Sequence, residues 1–293
     1  MHVHEGLAPR FEAQRDHLRA VAYRMLGSLD EADDAVQLAW LRADRADLGE
    51  IENLAGWLTT VVARVCLDML RMRRARAEQP LTPATDTLME QRGGPEPEHE
   101  AVLAESVGLA LLVVLQRLTP AERVAFVLHD MFAVPFDEIA TVVGRSQVAA
   151  KKLASRARSR IHGVATVDEV DLARHHAIVD AFLTASRGGD LNTLVTLLAP
   201  DVVRRADRFA VPDGTATDVH GARAVSEETR MFAHRARSAE VALVDGTPGI
   251  VVAPRGRLVV VLRVTVEHDR ITEIEVIGDP RRLDTLDLGT GRN

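Results

Sequence analysis

One stretch of this sequence, residues 118–161, has the pattern of a helix-turn-helix and constrains the fold more than any other. Thr119 and Glu122 stand at the spacing of a capping box, in which each side chain bonds a free amide at a helix start. The proline between them suits the first helical position. Gly144 favours the left-handed conformation that ends a second helix, and Ser146 can cap a third. Two short helices joined by such a turn can read the major groove of DNA.

The third helix of this stretch is predicted to have one apolar and one basic face. Its apolar residues recur at helical spacing and should face inward. They are Val148, Ala149, Leu153, Ala157 and Ile161. The opposite face has no acidic residue, as suits a helix that meets phosphates. It carries Gln147, Lys151, Lys152, Ser155, Arg156, Arg158 and Arg160. An ordinary helical hairpin with a solvated basic face is the alternative interpretation of this pattern.

Charge is distributed unevenly along the chain. The formal net charge of −7 is unusual for a DNA-binding protein, but basic residues cluster at 71–76 and 145–160. A polyanion would meet these clusters locally, while the acidic remainder would oppose nonspecific adhesion to DNA. The length of 293 residues allows two or three domains.

Several function classes are disfavoured by what the sequence lacks. Its apolar runs, such as 109–115, are too short to span a membrane, and the first residues lack the apolar core of a signal peptide. The single cysteine, Cys66, excludes an internal disulfide and fits a reducing compartment. The sequence contains no nucleotide-binding loop, zinc-ligand spacing or hydrolase nucleophile motif. We therefore expect a cytoplasmic protein without a membrane contact, a metal or a cofactor.

Three amphipathic helices are predicted near the N-terminus, at about 11–26, 31–45 and 54–74. In the second of these helices, Val36, Trp40 and Leu41 could face the core. Trp57, in the third, could either pack in the core or hold a base. Core packing is favoured because a valine repeats the same helix face one turn later.

Three segments of the helix-turn-helix stretch resemble region 4 of an extracytoplasmic-function sigma factor. They are LTPAERVAFVLHD at 118–130, VPFDEIA at 134–140, and LASRAR at 153–158, which resembles the recognition helix of that family. The resemblance implies contacts with the −35 promoter element. The residues implied are Ser146, Gln147, Lys151, Lys152, Ser155, Arg156 and Arg158. An Arg-Gln pair is common in the family where this chain has two lysines, so we expect a shifted base preference.

The N-terminal helices resemble region 2 of the same family. Residues 33–37 match the helix that binds the polymerase clamp, and residues 55–64 and 67–71 match the segment that meets the −10 element. The implied polymerase contacts are Asp33, Asp34 and Gln37. The implied −10 contacts are Asn53, Trp57, Arg64, Arg71, Arg73 and Arg74. The expected partners are core RNA polymerase, through its β′ clamp and β flap, and promoter DNA.

The last part of the sequence predicts helices followed by strands with tight turns, which is typical of an α+β domain. A helix is predicted at 222–236, and strands at 239–244, at 250–253 with 257–267, and at 270–277. The order resembles the SnoaL-like cone fold that is fused to one branch of these sigma factors. Residues implied in regulatory contacts are Asp213, Gly214, Asp279, Pro280 and Leu283. This chain departs from the motifs of that branch in both segments. A pocket in this domain could hold a small ligand.

The sequence therefore predicts a multidomain chain with two all-α sigma domains, a region 2 helical bundle and a region 4 helix-turn-helix, followed by an α+β cone-fold domain. The expected boundaries are region 2 at 1–77, a proline-rich linker at 78–98, region 4 at 99–165, the cone fold at 166–283 and a tail at 284–293.

The resemblance implies an alternative sigma factor that directs promoter-specific initiation of transcription and is regulated in cis by its C-terminal domain. An enzyme is not expected, because the aspartates and histidines of that domain are not spaced as a convergent acid–base set and it has no Tyr or Trp. Two alternatives remain, a ligand-responsive helix-turn-helix regulator and a cyclase or isomerase with a DNA-binding appendage. The segment similar to region 2 argues against a regulator that works without polymerase.

Overall fold

The computed structural model describes residues 7–46, 51, 53–77, 108–163, 165–166, 168–212 and 214–290 of the chain. Two compact units are present, one within residues 1–107 and 115–158 and the other within 108–114 and 159–293. Most described residues of the segments that resemble regions 2 and 4 fall in the first unit. The linker predicted at 78–98 lies outside the described residues.

The N-terminal half of the described chain is helical. Its helices are α1 (Leu7–Glu12), α2 (Arg15–Leu26), α3 (Leu29–Ala43), α4 (Leu54–Ala77), α5 (Leu109–Arg117), α6 (Pro120–Phe126), α7 (Phe136–Val143) and α8 (Gln147–His162), with a π-helical turn (Val127–Met131) after α6. Helices α5 and α8 have residues in both units. The single helix predicted over 11–26 is two helices, because the amide of Gln14 bonds the carbonyl of Phe11 in a tight turn.

Local capping interactions delimit the helix-turn-helix as the sequence predicts. The amide of Thr119 donates to Glu122 Oε2 at 3.2 Å and the amide of Glu122 donates to Thr119 Oγ1 at 3.4 Å, which completes the capping box of α6. Gly144 ends α7 in the left-handed region, with a φ of 67°. Ser146 Oγ accepts the amide of Ala149 at 3.3 Å at the start of α8. These three predicted helix ends are confirmed.

Arg123 of α6 connects the helix-turn-helix to the N-terminal helices inside the first unit. The residue is only 5% exposed, and its Nη1 donates to the carbonyl oxygen of Met25 at 2.9 Å. Burial and repulsion by Arg73 lower the pKa of Arg123 to about 10, and attraction by Glu31 opposes the shift. Because a buried guanidinium needs an acceptor, this bond determines where α6 meets the end of α2.

Phe132, at the turn of the helix-turn-helix, makes a second contact with α2. Its ring lies 5.3 Å from the ring of His17 in an edge-to-face arrangement, with an interplanar angle of 87°. The guanidinium of Arg24 lies 5.2 Å from the centre of the same ring. Aromatic and cation–π contacts of this kind stabilise the packing of the turn on α2.

The second unit contains the α+β domain. Its elements are α9 (Glu169–Gly188), α10 (Leu191–Leu197), β1 (Leu198–Ala206), β2 (Asp218–His220), α11 (Ala222–Met231), α12 (Ala233–Ala236), β3 (Ala239–Val244), β4 (Thr247–Val252), β5 (Val260–Glu267), β6 (Arg270–Ile277), α13 (Pro280–Thr285) and β7 (Leu288–Gly289). The described strands form one sheet in the order β2-β1-β6-β5-β4-β3-β7. Neighbouring strands are antiparallel except for the parallel pair of β1 and β6. Helix α9 covers the sheet, and Phe182 and Leu183 pack with Ile250 and Ile274 in the core.

Three predicted elements of this domain differ from the structure. The helix over 222–236 is interrupted at Phe232 and forms α11 and α12. The segments 250–253 and 257–267, predicted as one strand interrupted by a turn at 254–256, are two strands, β4 and β5. The predicted turn is confirmed as a 3-10 turn at Pro254–Gly256, where proline has no amide to pair. The tail predicted at 284–293 includes β7, where Gly289 pairs with Leu243 of β3.

We predict that Arg123→Ala lowers the free energy of unfolding by about 1–3 kcal/mol, because the buried carbonyl of Met25 loses its donor. Arg145→Ala is the matched control, since Arg145 is an exposed arginine of the same helix-turn-helix. Chemical denaturation followed by circular dichroism measures both variants. Equal stability of the two variants would contradict a structural role for Arg123.

Candidate nucleic-acid and protein interfaces

The basic face of α8 is exposed as the sequence predicts. Small side chains on its other face are buried: Ala150, Ala154 and Ala157. The opposite face reaches solvent and carries most of the predicted −35 residues: Ser146, Gln147, Lys151, Lys152, Ser155 and Arg156. Because alanines let the helix pack closely while long cations stay outside, α8 presents its charges to one side.

The apolar face of α8 is rotated relative to the prediction. Val148, expected to face inward, is 64% exposed, and Ala150 is buried where Ala149 was expected. Residues 150, 154, 157 and 161 lie on one stripe because they recur at three- and four-residue spacing, and this stripe is the buried one. Val148 therefore stands beside Lys151 and Lys152 on the exposed face. An apolar side chain there can contact a thymine methyl group.

Arg156 and Arg158 have different surroundings. Arg158 Nε forms an ion pair with Asp130 Oδ1 at 2.6 Å, and both side chains are partly buried. Arg156 is largely exposed, and its nearest carboxylate oxygen belongs to Glu122 at 4.0 Å. The structure thus separates Arg158, which supports the helix-turn-helix, from the exposed face that contains Arg156.

Predicted −10 residues line a cleft of about 300 Å³ in the first unit. Its walls are Asn53, Trp57, Thr60 and Arg64 from one side and Glu138 and Thr141 of α7 from the other. Asn53 Oδ1 accepts the amide of Gly56 at 3.0 Å and so caps α4. Arg64 Nη2 donates to the carbonyl oxygen of Thr141 at 3.5 Å. The same helix-turn-helix that carries α8 therefore faces these residues.

Trp57 is half-buried in this cleft, so the prediction of core packing is wrong. The buried stripe of α4 passes through Leu54, Leu58, Val62 and Val65. Trp57 lies at the edge of that stripe, where its ring borders open space. The two residues that α7 contributes to the cleft were not singled out in the sequence, which offers no local signal for a contact so distant along the chain.

The arginines at the end of α4 are exposed, but they are not equivalent. Arg73 pairs with Glu31 of α3, and its Nη1 lies 3.5 Å from the carbonyl oxygen of Leu26. Arg71 and Arg74 lie on the same exposed segment. Arg73 is therefore part of the packing of α4 on α2 and α3.

The predicted polymerase contacts lie on the exposed side of α3, together with two apolar residues. Asp33 forms a two-pronged ion pair with Arg19, at 2.6 and 2.9 Å. Asp34 and Gln37 are exposed, and Leu38 and Leu41 on the same face are 44% and 47% exposed. The expectation that Leu41 faces the core is wrong, because the buried residues of α3 are Leu29, Val36 and four alanines. We name residues 34, 37, 38 and 41 the α3 stripe.

The predicted regulatory residues form part of the C-terminal domain's own structure. Asp279 caps α13 by accepting the amide of Arg281 at 2.9 Å, Pro280 takes the first helical position, and Leu283 is buried. Gly214 is exposed, and Asp213 lies outside the described residues. Helix α13 leads directly into β7, so these residues position the end of the chain.

The end of the described chain is bonded to the end of α8 within the second unit. The amide of Thr290 donates to the carbonyl oxygen of Ile161 at 2.7 Å, and Thr290 Oγ1 donates to the same oxygen at 3.1 Å. A second bond joins Glu240 of β3 to the start of α5, where Glu240 Oε2 accepts the amide of Ala110 at 2.6 Å. Within the second unit, the C-terminal domain is therefore bonded to a residue at the start of α5 and a residue at the end of α8.

The second unit also encloses a cavity of about 120 Å³. It lies between the sheet and helices α9, α11 and α12, and most of its lining is apolar. In the described part of the chain, no group of histidine, cysteine or acidic side chains could hold a metal ion. None of the described helices is long and apolar enough to cross a membrane.

Comparison with known proteins identifies similar families and relatives. Residues 11–76 match sigma-70 region 2, and residues 108–161 match sigma-70 region 4. The chain is 35% identical over 297 residues to the probable ECF RNA polymerase sigma factor SigI of Mycobacterium tuberculosis (strain CDC 1551 / Oshkosh), covering 99% of this chain and 100% of the relative. It is 44% identical over 206 residues to the ECF RNA polymerase sigma factor SigJ of Mycobacterium tuberculosis (strain ATCC 25618 / H37Rv), covering 67% and 64% respectively. The crystal structure of Mycobacterium tuberculosis SigJ aligns with a TM-score of 0.45 at 35% identity, covering 94% of this chain and 97% of that chain.

The different surroundings of Arg156 and Arg158 predict opposite effects of the same substitution. Arg158→Ala should lower the free energy of unfolding by about 0.5–1 kcal/mol through loss of its ion pair, and Arg156→Ala should leave stability nearly unchanged. On DNA carrying a region 4 target site, Arg156→Ala should weaken binding by about 1–3 kcal/mol if it contacts a base. Denaturation measures the change in stability, and fluorescence anisotropy measures the change in DNA binding. A larger loss of stability in Arg156→Ala than in Arg158→Ala, together with a larger loss of DNA binding in Arg158→Ala, would refute the assignment.

Proposed function

This chain belongs to the extracytoplasmic-function sigma factors of RNA polymerase, and from that premise we propose a role for each of the surfaces described above. The chain directs promoter-specific initiation of transcription as a polymerase subunit. The single observation that supports the assignment of surfaces is that one chain exposes both the basic face of α8 and the α3 stripe. A protein that binds DNA alone has no need of the second surface.

The −35 element is read by the exposed face of α8. Lys151, Lys152 and Arg156 recur at three- and four-residue spacing and can enter the major groove together. Val148 adds an apolar contact that discriminates thymine, and Ser146, Gln147 and Ser155 add polar contacts. Arg158 stabilises α8 through its ion pair with Asp130 and does not contact a base. Lysines where the family commonly has an Arg-Gln pair shift the base preference.

The −10 element is held by the cleft beside α4. Trp57 offers an aromatic face for a base that leaves the stack, and Asn53 and Arg64 offer a polar edge and a positive charge. Arg71 and Arg74 bind backbone phosphates, and Arg73 supports them through its contacts with α3. Because Glu138 and Thr141 of α7 line the same cleft, a melted strand can enter only after α7 moves away. We call this arrangement of the first unit the closed arrangement.

Core polymerase is bound through the α3 stripe and through the region 4 helices. The stripe combines the charge of Asp34 with the apolar surface of Leu38 and Leu41, which is the mixture that protein interfaces use. The β′ clamp is the partner of this stripe, with Asp33 at its margin, and region 4 contacts the β flap. Because a polymerase subunit acts on the chromosome, the proposed location of this chain is the cytoplasm.

The C-terminal domain regulates these surfaces in cis and catalyses no reaction. Support for regulation comes from the bonds of Thr290 to Ile161 and of Glu240 to Ala110, which connect the domain to α8 and α5. Asp279, Pro280 and Leu283 act by positioning β7, and Asp213 and Gly214 contribute further regulatory contacts. The cavity of this domain takes a small ligand that can alter the same connection.

Run-off transcription with core polymerase on a randomised promoter library tests the main function. We expect one class of paired −35 and −10 sequences to be enriched among the transcripts. Product that does not exceed that of core polymerase alone, with any promoter, would refute the assignment.

A double substitution tests the polymerase surface. Asp34→Lys with Leu41→Glu reverses a charge and inserts another into the apolar part of the α3 stripe, so association with core polymerase should weaken about tenfold or more. Helix content should stay the same, because both side chains are exposed. Asp44→Lys, on an exposed acid just beyond α3, is the control for charge. Equal binding by the double variant and the control would remove the α3 stripe from the interface.

The bond between Thr290 and Ile161 provides a sharp test of regulation. Thr290→Pro removes the amide donor, whereas Thr290→Val keeps the amide and removes only the hydroxyl. We expect Thr290→Pro to change the yield of run-off transcription several-fold, in the same direction as a chain that ends before Asp279 or before Val167. Thr290→Val should stay closer to the parent. If neither the truncations nor Thr290→Pro alters transcription, regulation in cis is rejected.

A further inference from the structure

The cavity of the C-terminal domain has the size of one small molecule. Its volume of about 120 Å³ is close to that of an engineered apolar cavity of about 150 Å³ that binds benzene. Pockets for drug-sized ligands are larger, about 300–1,000 Å³. The lining includes Phe182, Leu183, Ile250, Leu262 and Val276, so the body of an occupant must be apolar. A single ring or a short branched chain fits this space, and a fused polycyclic molecule does not.

The most deeply buried charges at the cavity are already matched to each other. Arg204 Nε donates to Glu228 Oε2 at 2.8 Å, and Nη2 donates to the other carboxylate oxygen. The remaining hydrogens of Arg204 go to the carbonyl oxygens of Ala216 and Thr217 at 3.0–3.1 Å. All five N–H groups of this guanidinium therefore have protein acceptors. The pair is neutral as a whole and gives an occupant no free donor.

The two hydroxyl groups of the lining are also engaged as donors. Ser186 Oγ donates to the carbonyl oxygen of Phe182 at 2.7 Å, and Thr229 Oγ1 donates to that of Val225 at 2.8 Å. Each hydroxyl has a single hydrogen, so neither can donate to a ligand without giving up its bond.

Arg235 is the lining side chain that keeps free donors. Its Nη1 donates to the carbonyl oxygen of Ala210 at 2.8 Å, and its guanidinium lies 5.2 Å from the ring centre of Phe232. Among the described residues it has no carboxylate partner within ion-pair distance. Several of its N–H groups and its whole positive charge are therefore available at a half-buried position, where a charge-assisted hydrogen bond is strong.

We infer that this cavity binds a small monocarboxylic acid with a compact apolar body, such as a single aromatic ring, and that Arg235 binds the carboxylate. The inference rests on the proposed role of the domain as a regulator and specifies the class of its ligand. A carboxylate matches the fork of a guanidinium, and the apolar walls hold the remainder. An amine would place its charge next to Arg235 and find Glu228 already neutralised. Exposed apolar residues next in sequence to the lining, Phe209 and Met231, offer an apolar surface for entry.

Isothermal titration calorimetry of the full chain with benzoate, hexanoate and neutral benzamide tests this inference. Benzoate should bind about tenfold or more tightly than benzamide, because only the acid forms the charged hydrogen bond. Arg235→Gln should abolish that difference, since glutamine can still donate to Ala210 but carries no charge. Arg237→Gln, on an exposed arginine outside the lining, should preserve it. Thr229→Met, which fills the cavity, should abolish binding of both ring compounds.

Three results would overturn the inference: no binding of either acid, equal affinity for benzoate and benzamide, or an unchanged preference in Arg235→Gln. Run-off transcription of the same preparations distinguishes a failure of this inference from a failure of the proposed function. Transcription without acid binding leaves the sigma function intact and removes only the ligand. If the chain binds the acid but yields no promoter-dependent product, the sigma function is rejected and the ligand site is retained.

Discussion

Arg123 is a buried cation on which the arrangement of the first unit depends. A guanidinium withdrawn from water must find acceptors, and Arg123 finds the carbonyl oxygen of Met25. That oxygen is among the last carbonyl groups of α2, which have no amide partner within their own helix and carry the negative end of the helix dipole. The bond thus gives the carbonyl oxygen of Met25 a donor and one N–H group of Arg123 an acceptor. Burial, followed by repulsion from Arg73, lowers the pKa of Arg123, and attraction by Glu31 opposes that shift.

The consequence of this contact lies at the opposite side of the helix-turn-helix. With α6 held against α2, α7 faces α4, and Glu138 and Thr141 border the cleft of Trp57 and Arg64. In our account the region that reads the −35 element also covers the residues that hold the −10 element, while the face of α8 stays exposed. Binding of polymerase and promoter then exchanges contacts inside the protein for contacts with DNA. Under the proposed regulation in cis, a ligand or a truncation in the C-terminal domain would bias this exchange through the bonds at Ile161 and Ala110.

Interactions within a few residues could be predicted from the sequence, whereas those between distant segments could not. The capping box at Thr119, the left-handed Gly144 and the α+β character of the C-terminal domain follow from local chemistry and periodicity. The wrong assignments of Val148, Leu41 and Trp57 each concern which side of a helix is buried, and a partner far along the chain decides that. The pairing of β7 with β3 and the pairing of Arg158 with Asp130 have the same origin. A side chain's type reveals that it can bond, but the fold selects its partner.

The distance between α4 and α7 tests the closed arrangement most directly. Cys66 is buried, and burial raises the pKa of its thiol, so it should resist labelling. Spin labels can therefore be attached to cysteines introduced by Thr60→Cys and Thr141→Cys, on opposite walls of the cleft. Pulsed electron paramagnetic resonance should show one short distance in the free chain and a clearly longer one in the complex with core polymerase and promoter DNA. The same short distance in a transcription-competent complex, or a long distance in the free chain, would contradict the account.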